Sequence, residues 1–175
     1  MKNIALIILL LLPLVTIARN KDEIKPPKGA NVVILRTNYS SVENALVELP
    51  RTLLSAGIGI ENINEKIGFI RTGVFNNKGI IVQANVLFEK VDSVVIAKIS
   101  GTFEGGSSIT LRGTGVDFKS SPVVYGGMSG SPLRMGWDAL INFTKYIPHS
   151  SISFISPDVK EPTKEEKIAD PLYNH

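Results

Sequence analysis

The sequence predicts one α+β domain: an antiparallel sheet of about five to six strands, with an N-terminal helix broken near Pro50 and a C-terminal helix packed on one face. Three observations predict it. Apolar residues between Ile58 and Phe103 recur with period two, the pattern of strands with one face against a core and one in water. Residues 42–56 and 133–147 instead carry apolar residues at helical spacing, each forming a stripe that must be buried. The order strand, helix, run of hairpins, helix gives a sheet-and-helix layering and lacks the alternating units of a parallel sheet.

Residues 31–35, a β-branched run, predict a first strand buried on both faces. Ser40 stands three before Glu43, a capping-box spacing, and Val42, Leu46, Leu49, Leu53 and Ala56 follow in steps of four and three. Pro50 falls inside that stripe. A proline in a helix interior removes a backbone donor at a cost of ~3 kcal/mol, so the spacing predicts a kink there or a second short helix ended by Gly57. Residues 58–63 and 67–72 read as strands around a polar turn at 64–66, and 76–79 as a further turn. In residues 80–88, Ile80, Val82, Ala84, Val86 and Phe88 share one face opposite Gln83, Asn85 and Glu89. A turn at 91–93 leads to a strand bearing Val95, Ala97, Ile99 and Phe103, and residues 109–112 and 116–118 are weaker strands among glycines. Ser131-Pro132 supplies an N-cap followed by proline at the first helical position. Leu133, Trp137, Leu140, Ile141 and Thr144 then share a face until Pro148 stops the helix.

The ends of the chain differ from its middle. Lys2 precedes fifteen mostly apolar, uncharged residues at 4–18, and 19–23 turn abruptly polar. That apolar length suits the core of a secretory signal and falls short of the roughly 20 residues a spanning helix needs. The organisation expected is a signal peptide at 1–18, cleaved after Ala18 or, as the alternative, kept as an anchor, then a linker at 19–29 containing Pro26-Pro27 and a single domain at 30–156. Residues 157–175 hold eight charged residues and three prolines, too polar to offset their ordering entropy, and read as a disordered tail. Export without any cysteine fits a bacterial periplasmic or secreted protein better than a secreted eukaryotic one, where disulfides are common. No stable membrane span is expected after cleavage. The sequons at Asn38 and Asn142 read as incidental.

The stretch from Val42 to Thr72 carries apolar helix positions, Gly57-Ile58-Gly59-Ile60, a polar turn at Asn64, then Gly68, Ile70 and Thr72. It resembles the repeat unit of the barrel-assembly lipoprotein C subunit and related envelope domains with a TATA-binding-protein-like fold. The resemblance covers about thirty structural residues and implies an envelope protein acting by surface contact. The lipid-bearing cysteine of that family is missing here. The order of elements also resembles the helix-grip fold of plant pollen allergens and lipid-transfer domains, which implies a final helix closing a curved sheet over an apolar cavity.

Composition narrows the chemistry. With no cysteine, a thiol nucleophile, a thiolate metal site and a disulfide framework are all excluded. The only histidines are His149 and His175, and a net charge of +3 comes from dispersed basic residues that form no nucleic-acid patch. Residues 126–132, Gly-Gly-Met-Ser-Gly-Ser-Pro, look like the nucleophile loop of chymotrypsin-like serine peptidases, with Ser129 as nucleophile. No histidine precedes it, and neither Lys98 nor Lys119 is selected by spacing as a base. The helix-capping reading of Ser131-Pro132 explains the loop better. Glycines at 101–115 lack the lysine and hydroxyl of a phosphate loop and read as bends and bulges. Glu89 and Glu104 are the carboxylates that could approach across paired strands, with a solvated face the simpler reading.

No catalytic, metal or cofactor site is therefore expected. The function expected is a non-enzymatic envelope domain that binds another protein or the cell wall. The alternatives are a carrier of an apolar small molecule, lined by Trp137, Leu140, Ile141, Ala84 and Ala97, and a serine peptidase using Ser129.

Overall fold

The period-two run beginning at Ile80 forms the centre of the sheet. In the computed structural model, which describes residues 25–107 and 118–157, the elements are β1 (Val32–Thr37), α1 (Val42–Ser55), β2 (Ile60–Asn64), β3 (Phe69–Thr72), β4 (Phe75–Asn77), β5 (Ile80–Val91), β6 (Val94–Ser107), β7 (Phe118–Pro122), α2 (Pro132–Phe143) and β8 (His149–Ile155). Short 3-10 turns cover Glu65–Ile67 and Thr144–Tyr146. The expected signal peptide, most of the linker, the strand at 109–112 and the tail from 158 on lie outside the described residues.

The domain is α+β with an antiparallel sheet, as the periodicity predicts. Among the described residues, eight strands take part rather than five or six. The main path runs β2-β3-β5-β6-β1-β8, with β4 beside the start of β5 and β7 beside the end of β6. The long hairpin β5–β6 is paired from Ile81 against Glu104 to Val91 against Val94. That register puts Val82 opposite Phe103, Val86 opposite Ile99 and Phe88 opposite Ala97, all on the face that meets the helices. Val33, Leu35 and Ile70 join them, and Leu46, Leu49, Leu53, Leu140 and Phe143 close the core from the helices.

Four expectations change. β1 is buried on one face only: Val33, Leu35 and Thr37 are covered, while Val32, Ile34 and Arg36 are half-buried on the side away from the helices. Pro50 does not break α1, which is continuous from Val42 to Ser55 with Pro50 buried inside it. Burial of Leu46, Leu49 and Leu53 at ~1.5–3 kcal/mol each outweighs the lost donor. The cap is Ser41 rather than Ser40, its Oγ accepting the Asn44 N–H at 3.1 Å. Finally, β8 follows α2, so the helix is not the last element as the helix-grip likeness implies.

At the far helix, Ser131 caps α2 as expected, its Oγ accepting from the Arg134 N–H at 3.3 Å, with Pro132 at the first turn. Ser131→Ala is expected to cost about 1 kcal/mol in a urea melt, the usual loss on removing such a cap. Tyr39 packs edge-on to Phe88 at 5.9 Å. Burial, reinforced by the negative charge of Glu48, pushes its hydroxyl up to about 12. The folded chain thus holds this proton more tightly than the unfolded chain, whose tyrosine ionises near pH 10. The resulting stability is complete below pH ~10 and lost as pH rises towards ~12. Alkaline melts of wild type and Tyr39→Phe should show a shallower decline for the variant.

Candidate functional site

The five residues that the sequence offers as a ligand lining sit together, but in packed interior. Trp137 is 1% exposed and Leu140, Ala84 and Ala97 are fully covered; Ile141 is half-buried against the same core. Ala84 lies opposite Gly101 across the β5–β6 pair, and Leu140 packs directly over that glycine. Ala97 lies opposite Leu35 and Phe88. Small residues on the sheet are matched by large ones pressing in from beside and above them, the interdigitation of a close-packed core. Trp137 stands between Tyr125 and Phe154, with ring centroids at 5.5 and 5.7 Å.

The residues considered for nucleophilic chemistry are scattered. Ser129 is exposed in the loop before α2. His149 begins β8, where its Nδ1 lies 2.7 Å from the Ile147 carbonyl oxygen. Lys98 is on the face of the sheet away from the helices, its Nζ 2.8 Å from Glu89 Oε2. Lys119 belongs to β7. Glu89 and Glu104 do not approach: they pair with Ile96 and Ile81 at opposite ends of the hairpin, about 25 Å apart at a strand rise of about 3.3 Å per residue. Among the described residues, no group of three or more histidine and carboxylate side chains is placed to hold a metal, and no helix is long and apolar enough to cross a membrane.

Two features were not legible as sites in the sequence. The first is an open cleft of about 340 Å³ where the C-terminal ends of α1 and α2 meet over β4. Ala56, Gly57 and Ile58 form one wall, Ala139, Asn142, Phe143 and Tyr146 another, and residues 74–77 a third. Phe75 stacks on Phe143 at 5.7 Å and 24°, and Tyr146 meets Phe143 edge-on at 6.0 Å. Phe75 and Asn77 pair with the buried Val82 and Ile80, which directs both to the helix side. Asn142 Oδ1 accepts from Lys145 Nζ at 2.8 Å. In the sequence Asn76 and Asn77 belong to the turn signal at 76–79 and Asn142 to a sequon, so neither points to a site.

The second feature is the outer edge of β8. This strand pairs with β1 on one side, from Val32 against Ile155 to Thr37 against His149, and ends the sheet on the other among the described residues. It contains no proline, lysine, arginine or carboxylate, and Ser150, Ser151 and Ser153 are exposed. The opposite edge, β2, is shorter, carries Glu61, has a register shift between Ile60 and Asn62, and leads into Glu65 and Lys66. Charges and irregularities of that kind are how sheet edges are kept from pairing with other chains. β8 has its register shift only near its start, opposite Arg36 and Thr37.

Fold and surface together define an α+β sheet-and-helix domain in which, among the described residues, the outer edge of β8 is bare and a cleft opens over β4. Comparison with protein-family models, curated proteins and solved structures finds no match for the chain.

Proposed function

We propose that the chain is an exported bacterial envelope protein that works by contact, taking an extended segment of a partner protein onto the outer edge of β8. The observation that carries this reading is the edge itself: seven residues without a charged guard or a proline. Such an edge offers a row of main-chain donors and acceptors to an added strand. Behind it, Phe154 is fixed by Trp137, so the strand is held ready rather than ordered on binding, which lowers the entropy cost of association. The leader at 4–18 supports export. The resemblance of residues 42–72 to the barrel-assembly repeat supports an envelope role. The filled interior around Trp137, Leu140, Ala84 and Ala97 favours contact over carriage of an apolar molecule inside the domain.

The test joins localisation to the edge. Cell fractionation with intact-mass measurement is expected to find a chain beginning at Arg19 in the envelope. A Ser151→Lys/Ser153→Lys variant is expected to migrate as a free monomer on native gels where wild type runs in a complex, with its melting temperature unchanged within about 2 °C, since exposed substitutions cost little. A full-length chain in the cytosol, or an unaltered complex in the lysine variant, overturns the reading.

A further inference from the structure

We infer that the cleft over β4 is a binding site for a neutral sugar bearing an N-acetyl group, held as one residue of a longer glycan. β5, β6 and β1 separate β4 from β8 in the sheet, so this site is distinct from the proposed strand edge and stands or falls independently of it. Among the described residues, its lining contains no aspartate, glutamate, lysine, arginine or histidine. The cation at its rim, Lys145, is engaged by Asn142 Oδ1 at 2.8 Å, so the lining itself supplies no charge for a phosphate or a carboxylate, and desolvating such a charge without a partner is costly. What it offers is mainly polar surface, the side-chain amides of Asn76, Asn77 and Asn142, beside the partly exposed rings of Phe75 and Tyr146. Phe75 and Tyr146, each half-buried, supply ring surface beside the buried Phe143, while the exposed Ala56 and Val74 offer apolar contact for a methyl group.

The polar groups are partly fixed before a ligand arrives. The hydrogen bond from Lys145 occupies the Asn142 oxygen and leaves its NH2 as the donor, matched to a carbonyl or hydroxyl oxygen. Asn77 is directed to the same side by its pairing with Ile80, and its amide can both donate and accept. An acetamido group presents that combination: a carbonyl acceptor, one N–H donor and a methyl group. A volume of about 340 Å³ equals the liquid volume of about eleven waters, the scale of one sugar ring with its acetyl arm. The cleft is open to solvent along one side, so a ring bound there can continue into its neighbours.

Titration calorimetry and amide-shift mapping with N,N′-diacetylchitobiose test this, with cellobiose as the sugar lacking acetamido groups and an acetylated dipeptide amide as the peptide control. Binding of the diacetylated sugar near 1 mM, as small open sites give, is expected to shift the amides of residues 56–58, 75–77 and 142–146. It should change less than about two-fold between 0.05 and 0.5 M salt, because no charge is neutralised. Asn142→Ala is expected to weaken it about three- to ten-fold while melting as wild type does. Co-sedimentation with protein-free cell wall, competed off by the disaccharide, would assign the glycan to a polymer; binding of the disaccharide alone would assign it to a free sugar, and so overturn the longer-glycan part of the inference. Equal binding of cellobiose, tighter binding of the dipeptide, or no shifts at ~10 mM sugar overturns it entirely.

Discussion

Replacing Trp137 by alanine is expected to lower the stability of the domain by about 3–5 kcal/mol, the range for deleting a buried aromatic side chain. The ring is 1% exposed and touches elements distant in sequence: Tyr125 in the segment after β7, and Phe154 in β8. No small rearrangement fills a gap shared by a helix, a loop and an edge strand. A domain of this size has a total stability of roughly 5–15 kcal/mol, so thermal melting should fall by roughly 10–20 °C. Hydrogen exchange should also show β8 opening more readily than β5 in this variant, because Phe154 loses the surface it rests on. Trp137→Phe keeps a ring in place and should recover about half of the loss.

Gly68→Ala is the second large effect, expected at about 2–4 kcal/mol in urea melts. Gly68 ends the 3-10 turn between β2 and β3 in a left-handed conformation with φ 69°, and its carbonyl accepts the Phe88 N–H at 2.8 Å. A Cβ there would stand 2.5 Å from the Phe88 carbonyl oxygen and 3.1 Å from Val42 Cγ1. The substitution therefore adds steric conflict with backbone to the cost of a positive φ. Gly57→Ala provides the control: φ is 78° but nothing lies within 4 Å of an added Cβ, so only the conformational cost of about 1–2 kcal/mol remains. Equal losses for the two variants would show that crowding at Gly68 has no energetic weight.

The sheet was readable where alternation is long. Ile80, Val82, Ala84, Val86 and Phe88 are all buried as their spacing predicts, because a one-residue slip of such a run would expose every one of them. The Ser131-Pro132 helix start was readable because a cap is a local event. Pro50 was misread because the rule against interior proline is itself local, whereas the burial of Leu46, Leu49 and Leu53 is tertiary. β8 is hard to see in the sequence because three serines and flanking Pro148 and Pro157 look like a loop. Ile152 and Phe154, alternating with Ser151 and Ser153, carried a period-two signal over four residues only.

Sites were less readable than strands, and for a physical reason. The cleft is assembled from the end of α1, the β3–β4 connection with β4, and the end of α2, segments up to about ninety residues apart whose meeting no local pattern encodes. Trp137, Leu140, Ala84 and Ala97 suggest a lining because inward-facing residues look alike in sequence whether they line a cavity or fill it. The difference is set by what packs over Gly101 and Ala97, and side-chain volume across three elements decides that.

The most direct test of the contact account is photocrosslinking in living cells from single positions. A crosslinking amino acid at Ser151 or Ser153, on the bare edge, should capture one discrete partner in the envelope fraction, while the same group at Asn62 on the guarded edge β2 or at Val47, exposed on α1, should capture none. Crosslinks of equal strength from all four positions, or none from β8 in correctly exported protein, would contradict it.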